Sequence, residues 1–97
     1  MWHGLFQDAG AWIFNLNKGV EAPALQAAKQ GFDVWLGNSR GSMYSHDHLF
    51  YDLNDKEQSK KYWDFSWAEI GKYDIPAAID HILETTSHQK LNYVGYS

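Results

Sequence analysis

A net charge of −4 on 97 residues, 44% of them hydrophobic and 21% charged, is ordinary globular composition rather than disorder. The scattered basic residues exclude a nucleic-acid footprint, and a cysteine count of zero excludes disulfides and Cys-ligated metal. No stretch approaches the roughly 20 apolar residues of a membrane-spanning helix, and Met1-Trp2-His3-Gly4 opens without the charged and apolar regions of a signal peptide.

Residues 1–5 read as the end of a strand, and Phe6 to Lys18 as irregular chain punctuated by Gly10, Asn15 and Asn17, with Gly19 just beyond. A helix is predicted from Ala22 to Gln30, with Pro23 in its first turn and Gly31 as a left-handed C-terminal cap. Phe32-Asp33-Val34-Trp35-Leu36 reads as a strand buried on both faces. From Ser42 to Ser66 the chain is polar and aromatic, a long surface excursion with one helical turn around Asp55 to Tyr62. Ser66 to Tyr73 leads into a stronger helix. There Asp74 is placed as N-cap, Pro76 in the first turn, and Ile75, Ala78, Ile79, Ile82 and Leu83 form an apolar stripe. Leu91 to Val94 is the last strand. Strands alternating with helices imply an α/β fold: three parallel strands joined by right-handed crossover helices.

The last strand runs into Gly95-Tyr96-Ser97, the first half of a G-x-S-x-G nucleophile elbow, where a sharp turn lifts the serine Oγ clear of the sheet. At the other end, Trp2-His3-Gly4-Leu5 puts a His-Gly pair at a strand terminus, the kind of loop that supplies an oxyanion-hole N–H. Ser97 is therefore the candidate nucleophile and the His3-Gly4-Leu5 loop the candidate source of an oxyanion donor. His3, Gly4, Gly95 and Arg40 are supporting residues. His3 orders its loop by hydrogen bonding, and Arg40 ties Gly37 to Gly41 together through charge-assisted bonds to carbonyls or a carboxylate. His46-Asp47-His48 has metal-ligand residue types but no further ligand in view, so no metal is assigned. Trp35, Trp63 and Trp67 are read as core, pointing inward.

Several stretches, in order along the chain, carry a family resemblance: His3-Gly4-Leu5 with Trp12, Gly31 to Gly41, Tyr62 to Trp67, Lys72 to Asp80 and Tyr93 to Ser97. Together they closely resemble the acid lipases, the family of gastric and lysosomal acid lipase, which are α/β-hydrolases. The resemblance implies a lipid ester substrate (triacylglycerol or steryl ester), no cofactor, Ser97 as nucleophile and the Leu5 N–H in the oxyanion hole. It further implies transient contact of the full-length protein with a lipid interface and a lysosomal or secreted location. Oligomeric state is not implied. Tyr96 stands where the family commonly has His, while Phe6-Gln7-Asp8, Ser42-Met43-Tyr44 and His46 also depart from its pattern.

Domains of this kind usually exceed twice this length, so residues 1–97 are read as the incomplete N-terminal part of one domain, with no second domain. The family's catalytic acid, histidine and lid fall outside the sequence, so this fragment alone is expected to be inactive. A carboxylesterase, peptidase or epoxide hydrolase on the same fold remains an alternative. So does a catalytically silent truncated product or pseudoenzyme.

Overall fold

The computed structural model describes residues 1–15 and 19–97; part of the irregular stretch read between Phe6 and Lys18, including Asn17, lies outside the described residues. A short 3-10 turn, Ala9–Trp12, is capped by Asp8, whose carboxylate accepts from the Gly10 N–H at 2.7 Å. Helix α1 (Pro23–Lys29) starts with proline in its first turn, where no N–H is needed, and is followed by Gly31 at φ +92°. Within the excursion, α2 (Lys56–Tyr62) is longer than the single turn expected. The Asp55 carboxylate satisfies the free N–H groups of Glu57 and Gln58, and Glu57 leads the first turn while Lys60 and Lys61 close the last.

The second long helix departs from expectation at its start. Asp74 makes no side-chain cap, and helical backbone already runs through it from Trp67. Ser66 and Glu69 form a reciprocal capping box that opens α3 (Trp67–Glu69). A π-turn over Ile70–Asp74 connects it to α4 (Ile75–Thr86). Pro76 accounts for the widened turn: it has no N–H to donate and crowds the carbonyl four residues back, so the Ile75 N–H reaches five residues back to the Ile70 carbonyl.

Three segments meet at Trp2. Its N–H donates to the Val94 carbonyl (2.8 Å), its carbonyl accepts from Tyr96 N–H (3.2 Å), and Gly37 N–H donates to the Met1 carbonyl (3.0 Å). Parallel bridges pair Trp2 with Gly37 on one side and with Gly95 on the other, so the first segment lies between the other two. The three strands expected from sequence are not present as such: among the described residues, pairing is confined to these single bridges. The reason lies in burial. Parallel pairing persists where both faces of a sheet are covered, whereas Phe32, Tyr93 and Val94 are all exposed. Residues 32–36 are thus not buried on both faces as predicted, and Trp63 and Trp67 do not point inward; Trp67 is 73% exposed.

An open hollow of about 690 Å³ separates the segments from α4, lined by Phe32, Val34, Ile75, Ile79, Ile82 and Val94 among others. Consistent with that gap, the radius of gyration is 15.5 Å, against about 13 Å for a compact chain of this size. No described helix is long and apolar enough to cross a membrane.

Candidate active site

The first loop is a tight turn over residues 4–7. The Gln7 N–H donates to the Gly4 carbonyl at 3.2 Å, and the Gln7 side-chain carbonyl accepts from the Gly4 N–H at the same distance. Phe6 takes the third position with φ +59°, a left-handed conformation that is uncommon for a bulky residue. With positive φ at that position and not at Leu5, the turn has the sense of type II. Leu5 is half exposed, and its N–H has no acceptor among the described residues.

Behind this turn lies a buried polar junction. His3 is 8% exposed and uses both ring nitrogens: Nε2 accepts from the Ser39 N–H at 3.0 Å, and Nδ1 lies 2.9 Å from the Gly4 carbonyl. Trp2 stacks on the His3 ring and donates from Nε1 to Ser39 Oγ at 2.8 Å. Asn38 Oδ1 accepts from the Ala9 N–H at 2.9 Å. Gly37 lies against the Trp2 ring, where a Cβ would collide. The three residues Asn38-Ser39-Arg40 therefore each hold a different part of the chain.

Arg40 holds the most distant one. Its Nε and Nη2 both donate to Asp74 Oδ1, at 2.8 and 2.6 Å, and its own backbone N–H donates to Oδ2 at 2.9 Å. Hydrogen bonding to Asp74, opposed in part by burial, pushes the guanidinium further above its already high value. The rings of Phe65 and Tyr73 lie within cation–π range of the guanidinium. Asp74, expected to cap a helix, instead accepts these three bonds. The π-turn ends at Asp74, and Arg40 takes both of its oxygens.

The terminal segment, Gly95-Tyr96-Ser97, sits beside the first loop. Tyr96 N–H donates to the Trp2 carbonyl, and the Tyr96 ring covers Gly4 so closely that a Cβ there would come within 2.7 Å of it. Gly95 supplies the bridge to Trp2, and Ser97 has φ +58°, outside the conformations of an ordinary strand. Ser97 and Leu5 thus belong to a terminal segment and a turn joined through Trp2, Gly4 and Tyr96. Neither residue lines the large hollow, nor a shallow one of about 320 Å³ bordered by Gln7, Asp8, Gly10, Ala11, Phe14 and Tyr44.

His46 and His48 belong to an aromatic cluster. His46 lies against Tyr62 and Trp63, and His48 Nδ1 accepts from the N–H groups of Phe50 and Tyr51. Among the described residues no three His, Asp or Glu side chains converge on a metal position. Two contributors escaped the sequence reading, Ser39 and Gln7. Ser39 stood inside a stretch already singled out, but its role depends on residues 36 and 37 positions away.

Residues 1–97 match a family model described as alpha/beta hydrolase fold. Among similar proteins are Lipase member K of Mus musculus, 47% identical, and gastric triacylglycerol lipase of Bos taurus, 44% identical, each over 98% of this chain and 22% of the relative. A putative lysosomal acid lipase/cholesteryl ester hydrolase of Crotalus adamanteus is 44% identical over the same shares. The chain spans about a fifth of the length of the curated relatives it matches.

Proposed function

The chain belongs to the alpha/beta hydrolase fold family, and from that premise we propose that residues 1–97 are the N-terminal part of one catalytic domain of a serine ester hydrolase acting on lipid esters. The three-stranded parallel sheet read from the sequence is proposed for that complete domain, with Trp2 at its centre. The observation that carries the reading is the junction of the terminal segment with the first turn: Gly95-Tyr96-Ser97 packs on His3-Gly4-Leu5 through Tyr96 and Trp2. The names of the relatives, triacylglycerol lipase and cholesteryl ester hydrolase, support a triacylglycerol or steryl ester as substrate. They also support a lysosomal or secreted location and transient contact with a lipid interface.

In this reading Ser97 Oγ attacks the ester carbonyl carbon while a histidine outside these residues takes its proton, oriented by a carboxylate that is also outside them. The carbonyl oxygen becomes an oxyanion, and the Leu5 N–H is one of the donors that stabilise it. Collapse expels the alcohol, which takes the proton from the histidine. Water then enters by the same route, releasing the fatty acid and restoring the Ser97 hydroxyl. A serine without its base is a poor nucleophile, so the 97 residues alone should not turn over ester.

The test uses the complete protein. A serine-directed phosphonate should label it, and Ser97→Ala should abolish labelling and lower turnover by more than about 10⁴-fold. Activity surviving Ser97→Ala would remove Ser97 from the reaction. A complete protein that binds lipid ester without turnover or labelling would establish the silent alternative.

A further inference from the structure

We infer that His3 and Ser39 form a positioning pair that aims the Gly4–Leu5 peptide, turning the Leu5 N–H outward as an oxyanion donor. The inference rests on the reading of Ser97 and Leu5 above, and it assigns residues that touch neither substrate nor reacting atoms.

A trans peptide carries its C=O and N–H on opposite edges of one plane. Whatever holds the Gly4 carbonyl therefore also aims the Leu5 N–H. Two donors converge on that carbonyl from inside the turn: the Gln7 N–H at 3.2 Å and His3 Nδ1 at 2.9 Å. The Leu5 N–H is left facing away from both, without an acceptor among the described residues.

Nδ1 donates only if it carries the proton, and Ser39 decides that. Its backbone N–H points at Nε2 from 3.0 Å, so Nε2 must present a lone pair, and the single proton of the neutral ring sits on Nδ1. The ring has little freedom to turn, because it is 8% exposed and stacked on Trp2, which itself is bonded to Ser39 Oγ. Ser39 in turn is fixed by its neighbours, through Asn38 to Ala9 and through Arg40 to Asp74. One contact thus sets the tautomer and another uses it, the way an outer partner orients a ligating histidine in other proteins.

Three variants of the complete protein separate positioning from mere stability. His3→Phe removes both bonds and should lower kcat about a hundredfold with KM unchanged, the scale of losing one oxyanion donor. His3→Asn can place an amide N–H near Nδ1 and should recover kcat to within about tenfold of wild type, since the donor is kept. His3→Gln reaches the Nε2 position but not the Gly4 carbonyl, and should stay as low as His3→Phe. ¹⁵N NMR of the wild-type imidazole should report the Nδ1–H tautomer, a readout that survives any variant's failure to fold. The Nε2–H tautomer, equal losses in Asn and Gln that track Tm, or a rise in KM with kcat intact would each overturn the inference. Run beside Ser97→Ala, the outcomes stay distinct: Ser97-dependent activity with unchanged kcat in His3→Phe sinks this inference alone, and activity surviving Ser97→Ala sinks the underlying reading and takes this one with it.

Discussion

The two sides of this chain are finished to different degrees. The side chains of Trp2, His3, Ser39, Arg40 and Asp74 are each hydrogen-bonded within 3.0 Å, and His3 and Ser39 are buried. Across the apolar side the 690 Å³ hollow remains, no side chain among the described residues is fully buried, and Phe32, Tyr93 and Val94 face solvent. The contrast follows from the forces involved. A hydrogen bond is directional and is satisfied by one partner, so a few residues can complete a polar junction. Hydrophobic stabilisation scales with area removed from water, at about 25 cal/mol per Å², and needs whole layers.

That contrast can be broken first on the apolar side. In the 97-residue chain Ile79 is only partly buried, so Ile79→Ala should change stability by less than about 1.5 kcal/mol. In the complete protein, where a covered layer is expected, the same change should cost about 3 kcal/mol from lost transfer energy and a new cavity. Denaturant melts of both lengths check this, and equal losses would mean that the hollow is already a finished core.

The polar side should respond alike in both lengths. Arg40→Ala leaves the Asp74 carboxylate, 13% exposed, with only a backbone N–H, and should cost about 2 kcal/mol of stability. Arg40→Lys keeps the charge but loses the planar fork, and should cost about 1 kcal/mol. Thermal melts of the complete protein measure both, and an Arg40→Lys protein as stable as wild type would remove the fork from the account.

The smallest effect sharpens the boundary between the two sides, at the start of α3. Glu69 accepts from the Ser66 hydroxyl and N–H, each at 2.7 Å, and the hydroxyl bond first, then the N–H, holds its carboxyl below the ordinary range. A lowered folded value means that the contribution is complete above the unfolded value and is lost as pH falls through the folded one. The protection factors of the amides in the turn Trp67–Glu69, taken against the intrinsic exchange rate at each pH, should therefore fall on acidification below the ordinary carboxyl range. Glu69→Gln keeps the box and should flatten that response.

What the sequence made legible was whatever a few neighbouring residues decide. Pro23 and Gly31 bracket α1, and the apolar stripe from Ile75 marks α4. Asp74 before Ile75-Pro76 has the same local signature whether it caps a helix or not, and only Arg40, 34 residues away, determines that its carboxylate turns elsewhere. The capping box at Ser66 and Glu69, in a stretch read only as a lead-in, explains why the helical path begins eight residues earlier than the cap assigned at Asp74. The extent of strand pairing was not readable, because it depends on cover from outside each segment. At the candidate site, Gly-x-Ser and His-Gly pointed to the two segments that meet there. The tautomer-setting bond from Ser39 did not show, since nothing local to Ser39 or His3 encodes their meeting.

The Arg40–Asp74 pair also acts as a noncovalent clasp across a separation of 34 residues. Everything from Gly41 to Tyr73 is a loop whose two ends the clasp has already brought together. The entropy of closing such a loop grows only logarithmically, so that doubling its length costs only about 0.6 kcal/mol more. The excursion can therefore lengthen or shorten at little thermodynamic penalty, while the junction beside Ser39 keeps its geometry.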